Sequence, residues 1–188
     1  MPESDTPSPA PTSPQPEDAE PLSSVPARPS PATLEIDWAD RQANHAIDPV
    51  RFIEAARSVL EQAGIRRGSL SLVVVNDDEM HRLNRLHLEH DYPTDVLSFL
   101  LDNPADDEIE GEVIVSADTA ARESAEYGWR LDDELLLYVV HGCLHLVGHD
   151  DHDDEDRAAM RQAEARVLAH FGLQPRWLDG EEREGKEA

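Results

Sequence analysis

Histidines cluster in one short stretch of the chain, in a pattern that could hold a metal ion. His141 and His145 are four residues apart, and His149 and His152 follow closely. On an α-helix, residues four apart share a face, with about 5–6 Å between Cβ atoms, so both imidazoles could reach one ion at about 2.0–2.1 Å. An isolated pair at this spacing is usually an ordinary surface or core pair. This pair, however, ends an otherwise apolar helix, where polar side chains are costly, and we therefore predict a metal site.

The third ligand must come from the segment that follows the pair. Gly148 can adopt a left-handed conformation, end the helix and turn the chain back. We favour His152 as the third ligand, with His149 as the alternative, because His149 is only four residues beyond His145 across the predicted turn. Three histidines leave a fourth position for water, as in catalytic zinc sites. The pattern thus predicts one Zn²⁺ per chain, although other divalent ions also suit imidazoles, with a zinc-bound water as the nucleophile.

The residues near the histidines limit which reactions the predicted metal site could catalyse. Gly142 stands where a His-Glu-x-x-His metallopeptidase has its catalytic glutamate, which disfavours a zincin-like peptidase but leaves it as an alternative. Asp150, Asp151 or His149 could act as the general base, or the zinc-bound hydroxide could act unaided. Asp95 could orient a ligand, although we favour a structural role for it in a loop.

Apolar periodicity and capping residues predict the elements that must position these side chains. Strands are expected at 34–38, 70–75, 95–100 and 111–116. Helices are expected from 50 to Gly64 after an Asp48-Pro49 start, from Asn76 or Asp77 onward, at 118–127, at 135–146 and at 153–171. Helices and strands are interleaved, but two strands lie close together between 95 and 116. The fold class predicted is therefore α+β, with a small mixed four-stranded sheet packed against helices and the three-His zinc site at the end of a core helix.

Composition indicates one domain with two tails. Ten of the 14 prolines lie in the first 31 residues, which predicts a disordered Pro-rich tail at 1–32. An acidic tail is expected at 179–188, leaving a domain at 33–178. We expect no secretory signal and no membrane span, since no stretch approaches roughly 20 apolar residues. The single cysteine, Cys143, excludes an intrachain disulfide, fits a reducing cytoplasm and is expected to pack into the core.

The net charge of −25 argues against a broad basic surface for nucleic acid, because phosphate contacts supply most of such affinity. Any basic footprint must be local, and four arginines are its candidates: Arg66, Arg67, Arg82 and Arg85. We favour reading them as solvated surface charges. Arg82 and Arg85 remain the weak RNA-binding candidates.

Three blocks of the sequence resemble the YbeY family. The first is the histidine segment, with two histidines separated by three residues, then Leu-x-Gly, an aromatic residue or histidine, Asp and a final histidine. The others are Leu83-Asn84 with the run from Asp91 to Phe99, and the run 111–116 followed by the helix through 121–123. The blocks occur in the family's order and span about half of the predicted domain.

The resemblance implies a function that spacing alone does not. It implies a single-domain, zinc-dependent endoribonuclease, specific for single strands, that acts in late maturation of the 3′ end of small-subunit ribosomal RNA and in ribosome quality control. Its partners would be precursor RNA and the ribosomal small subunit in the cytoplasm, with no DNA and no membrane. The alternative within the same cellular process is a ribosome-assembly factor that binds zinc but has little catalytic activity.

Two positions depart from the family pattern. The family's third histidine usually lies ten residues after the first, where this chain has Asp151, and histidine follows at the eleventh position. A loop longer by one residue is easily absorbed, which keeps His152 as the expected ligand. The family also commonly has an arginine four residues after the asparagine of its Leu-Asn pair, and this chain has Leu88 there.

Overall fold

The structure is a computed structural model that describes residues 31–88, 91–92, 94–102 and 105–175. The predicted tail at 1–32 lies outside these ranges except for its last two residues, and the predicted tail at 179–188 lies wholly outside them.

Four strands and five helices make up the described part of the chain. The strands are β1 (Leu34–Asp40), β2 (Arg67–Val75), β3 (Val96–Asp102) and β4 (Glu108–Ser116). The helices are α1 (Val50–Gln62), α2 (Asp77–Leu88), α3 (Ala117–Tyr127), α4 (Leu131–Leu146) and α5 (Asp154–His170). The strand order is β1-β2-β4-β3, with parallel pairing except between β3 and β4, which are antiparallel. The predicted α+β class with a mixed four-stranded sheet is confirmed.

Capping follows the sequence at α2 and departs from it at α1. The Asn76 side chain accepts a hydrogen bond from the Glu79 amide at 2.9 Å, as expected for the start of α2. At α1 the N-cap is Pro49, not Asp48, although the Asp48 carboxylate still accepts from the Val50 amide at 3.2 Å. The reason is local: the proline ring holds φ at −69°, already helical, so the helix boundary lies beside it.

The sheet is covered on both faces, which explains the continuous apolar run at the end of β2. Leu70, Leu72 and Val74 belong to the large core shared with α1, α4 and α5. Val73 and Val75 point the other way, into a smaller cluster that includes Met80 of α2. A strand buried on both faces shows no alternation of apolar and polar residues.

Gly142 allows α4 to lie directly against the sheet. A Cβ atom at this position would lie 2.6 Å from Val113 Cγ1, 2.9 Å from Ser98 Oγ and 3.0 Å from Val96 Cγ2. Real Cβ atoms do not approach other heavy atoms that closely. The glycine therefore fixes the helix at close range against β3 and β4, immediately beside His141.

A candidate metal centre at the end of helix α4

The two histidines of α4 face each other at the end of a buried helix. Residues 134–140 of α4 are all buried, whereas His141 and His145 are partly exposed. Their Nε2 atoms are 3.0 Å apart, and the rings are nearly perpendicular, with centroids 4.5 Å apart. The predicted pairing of His141 with His145 on one helix face is therefore present in the structure.

The far nitrogen of each ring is held by a group that only accepts hydrogen bonds. His141 Nδ1 lies 2.7 Å from Glu164 Oε1, and His145 Nδ1 lies 3.0 Å from the carbonyl oxygen of His149. A carboxylate and a carbonyl oxygen accept, so both Nδ1 atoms carry a proton. In the neutral rings the Nε2 lone pairs then point toward each other, and they repel unless a proton or a metal ion lies between them. This arrangement fits a bound metal ion.

The spacing of the two nitrogens also suits one ion. Two ligand nitrogens at about 2.1 Å from a metal are separated by about 3.0 Å at a right angle and about 3.4 Å at the tetrahedral angle. The observed 3.0 Å falls within that range, so the rings need little rearrangement to bind.

Asp151 is the third potential ligand that the structure brings to this pair. Its Oδ2 atom lies 3.8 Å from His141 Nε2, and one ligand atom from each of His141, His145 and Asp151 lies within 4.8 Å of the others. The side chain of His152 is 83% exposed and hydrogen-bonds Asp150. It belongs to a second group, with Asp150 and Asp151.

His149 contributes its backbone rather than its ring. Its carbonyl orients His145, and the residue lines a cavity between α1, α4 and α5. The structure thus joins the first two predicted ligands to an aspartate, and it groups neither His152 nor the His149 ring with them.

Negative charge surrounds the His141 ring. Burial alone would lower the pKa of His141, but the hydrogen bond and charge of Glu164 outweigh it, and Asp95 and Asp151 add to the effect, so the pKa is raised. The same charges that stabilise a proton on this ring stabilise a metal cation beside it.

Glu164 is a site residue that our sequence analysis missed. It lies on α5, where the buried residues Met160, Ala163, Glu164, Val167 and Leu168 form one face. A glutamate on an otherwise apolar stripe is the signal that could have identified it, because a carboxylate is almost never buried without a partner. Its role matches the carboxylate that commonly orients a metal-binding histidine through the other ring nitrogen.

The loop carboxylates have local partners. Asp95 accepts hydrogen bonds from the Thr94 hydroxyl at 3.0 Å and from the Val96 amide at 2.9 Å, as expected for a residue that shapes the turn before β3. Asp150 accepts from its neighbour His152, which lowers the pKa of Asp150.

Most of the predicted cations are engaged with acids or carbonyl groups. Arg82 binds the Glu79 carboxylate, with a shortest distance of 2.6 Å, and Arg67 binds Asp107 and Glu108. Arg66 donates to a backbone carbonyl of α1, and Arg85 is exposed in the last turn of α2.

Cys143 lies in the core, as expected. Its side chain is buried, and burial raises the pKa of the thiol to about 12. It is therefore an unsuitable metal ligand, despite its place between the two histidines.

Fold and site together define an α+β protein with a candidate metal centre at the end of a core helix. The sequence profile of the family described as "Endoribonuclease YbeY" matches residues 37–172, and the chain belongs to that family. It is 44% identical over 134 residues to the endoribonuclease YbeY of Rhodopirellula baltica, covering 65% of this chain and 68% of the relative. It is 39% identical over 150 residues to that of Salinibacter ruber, covering 76% and 93%.

A solved structure shares the fold. The solution structure of TM1509 from Thermotoga maritima superposes with a TM-score of 0.52 at 24% identity, covering 72% of this chain and 91% of that one. At this identity the likeness supports the architecture alone.

Proposed function

We propose that this protein is a metal-dependent endoribonuclease that hydrolyses single-stranded RNA. The observation that carries the proposal is the pair of Nε2 atoms of His141 and His145, which face each other 3.0 Å apart at a spacing that one metal ion could bridge. Membership of the endoribonuclease YbeY family supports RNA as the substrate. Zinc is the metal that we propose, because imidazole ligands and a redox-inert hydrolytic site suit it.

Each residue of the proposed site has its own role. His141 and His145 hold the metal, and Glu164 keeps His141 in the tautomer that presents Nε2. When bound, Zn²⁺ supplies Lewis acidity and lowers the pKa of a coordinated water toward about 7. Asp95 shapes the turn before β3, Asp151 adds negative charge that favours a cation beside the histidine pair, and Asp150 lies in the neighbouring group with Asp151 and His152.

Packing at Gly142 weakens the peptidase alternative further. A glutamate in this position would have to place its Cβ within 3 Å of β3 and β4 side chains. The catalytic glutamate of a His-Glu-x-x-His site therefore has no room in this fold.

The cellular role that we propose is late maturation of the 3′ end of small-subunit ribosomal RNA, together with ribosome quality control. Precursor RNA and the ribosomal small subunit would be the partners, in the cytoplasm. No helix in the described ranges is long and apolar enough to cross a membrane. Local contact with RNA would involve Arg82 and Arg85 on α2, of which Arg82 is already paired with an acid.

The test compares the wild-type protein with His141→Ala/His145→Ala. His170→Ala is the matched control, since that histidine is exposed at the end of α5 and bonds only its own helix in the contacts described. Metal content and cleavage of single-stranded, double-stranded and precursor ribosomal RNA are measured on the same preparations. We expect about one metal per chain and cleavage of single strands, both lost in the double variant alone. Metal binding without cleavage, even with ribosomes added, would overturn the nuclease proposal in favour of an assembly factor.

A further inference from the structure

We propose that the third metal ligand is the carboxylate of Asp151, so that the centre consists of two imidazoles and one carboxylate. The inference rests on the proposed metal centre and specifies its chemistry. Asp151 Oδ2 is 3.8 Å from His141 Nε2. A shift of a few tenths of an ångström would bring the two atoms to the roughly 3.4 Å expected of tetrahedral ligands on one ion.

The ends of the loop between α4 and α5 restrict which residue can reach the metal. At its start, Gly148 has φ +90°, and the amide of His149 donates to the Leu144 carbonyl at 3.0 Å, which closes α4 in a Schellman-type turn. At its end, the Asp153 side chain accepts from the amides of Glu155 and Asp156, both at 2.9 Å. Only four residues, 149–152, lie between these two caps.

Within this short loop, each residue already has a contact or a near neighbour through its backbone or its side chain. The His149 carbonyl faces His145, Asp150 and His152 bind each other, and Asp151 points at the imidazole pair. Bringing the 83% exposed His152 ring inward would require breaking its contact with Asp150 and rearranging a loop that is capped at both ends. Asp151 needs neither change.

A carboxylate in this position changes the properties of the centre. Three neutral imidazoles leave a divalent ion with its full +2 charge, whereas two imidazoles and a carboxylate reduce the charge of the centre to +1. Oxygen is also a harder ligand than imidazole nitrogen, and two-histidine, one-carboxylate sets hold Zn²⁺, Fe²⁺ and Mn²⁺ in different proteins. We therefore expect Mn²⁺ to compete with Zn²⁺ better here than at a site with three imidazoles.

Metal binding by the full chain, measured apart from RNA cleavage, tests the proposal. Asp151→Asn removes the ligand charge, Asp151→His restores an imidazole, and His152→Ala removes the competing ligand. Asp154→Asn is the control for losing a carboxylate, because Asp154 is fully exposed and pairs with Arg157. Zn²⁺ and Mn²⁺ affinities are measured by competition with a chelator, and the visible spectrum of the Co²⁺-loaded protein reports its ligand set.

For Asp151→Asn we expect Zn²⁺ affinity to fall by more than about 100-fold, beyond the roughly 10–100-fold loss typical of an outer-shell partner. Asp151→His should bind Zn²⁺ again, with a lower Mn²⁺ to Zn²⁺ affinity ratio and an altered Co²⁺ spectrum. Asp154→Asn should match the wild type. A smaller loss in Asp151→Asn, or a larger one in His152→Ala, would overturn the assignment while metal binding by the histidine pair, and with it the proposed function, still stands. Absence of metal binding in the wild type would overturn both.

Discussion

Replacing Glu164 should weaken metal binding although the residue does not itself reach the metal. Its carboxylate is 5% exposed and lies 2.7 Å from His141 Nδ1. In Glu164→Ala the Nδ1 proton loses its acceptor, and the ring can rotate or change tautomer, so that Nε2 no longer points at His145. Outer-shell partners of this kind usually contribute about 10–100-fold in metal affinity, or about 1.4–2.8 kcal/mol. Since this carboxylate is buried, we expect a value near the upper end.

The conservative variant Glu164→Gln distinguishes the effect of the negative charge of Glu164 from the effect of its hydrogen bond to His141. Glu164→Gln retains an oxygen that can accept from Nδ1 but loses the negative charge. A hydrogen bond to a charged group contributes about 1 kcal/mol more than a neutral one, so we expect a loss of about five- to tenfold. The expected order of Zn²⁺ affinity is wild type, then Glu164→Gln, then Glu164→Ala.

Glu134→Gln and Glu134→Ala are the matched controls. Glu134 is also a fully buried glutamate, but it lies about 10 Å along α4 from His141 and hydrogen-bonds Tyr138. Zn²⁺ affinity is measured by chelator competition, and circular dichroism verifies that each variant is folded. Equal Zn²⁺ affinity in the wild type and both Glu164 variants, or an equal loss in the Glu134 pair, would refute the orienting role.

Three further results are expected. Gly142→Ala should lower the free energy of unfolding by about 1–3 kcal/mol, measured by urea denaturation, because the added methyl group meets Val113 at 2.6 Å; an unchanged midpoint would contradict the close packing of α4. Asp77→Asn should lower the free energy of unfolding by about 1–2 kcal/mol at pH 7. Burial would raise the pKa of Asp77, but the hydrogen bonds from two hydroxyl groups and from Arg122 outweigh it, so the pKa is lowered. That contribution is present above the unfolded pKa of about 4 and is lost as pH falls through the lower folded pKa, so the difference in unfolding free energy from the wild type should shrink below pH 4. Cys143 should resist a thiol reagent in the folded protein and react once urea unfolds it, since its thiol is buried with a raised pKa; rapid labelling of the native protein would show that α4 opens.

The sequence predicted the fold largely because its elements carry clear boundary signals. Gly128 adopts φ +73° and ends α3, and the side chain of Asp153 caps α5, each as the residue type suggests. Each predicted strand was too short at one end; β2, for example, begins at Arg67 and β4 at Glu108. Apart from Ile109, the extra residues at the starts of these two strands are polar or glycine, and they join the sheet through pairing between neighbouring strands, which local apolar patterning does not reveal.

At the site, helical spacing sufficed for His141 and His145 but not for their partners. Four residues make one turn of α4, so the pairing of the two rings follows from the backbone alone. Glu164 comes from another helix, 23 residues later, and only the packing of α5 against α4 brings it to His141. Its polar character on an apolar helix face was informative, but which group it contacts depends on tertiary structure.

In the loop between α4 and α5, a shift of one residue decides which side chain faces the histidine pair. Counting residues from His141 places the family's third ligand position at Asp151. Because His152 follows directly, the sequence predicted a loop longer by one residue, with His152 as the ligand. In the structure Gly148 closes α4 and the Asp153 side chain caps the start of α5, so four residues connect the two helix ends. In such a span neighbouring side chains face different directions, and Asp151 faces the imidazole pair while His152 faces Asp150. With Asp151 as the third ligand, as we propose, the chain would keep the family's ligand spacing with a carboxylate in place of an imidazole, and the metal preference of the site should follow the carboxylate.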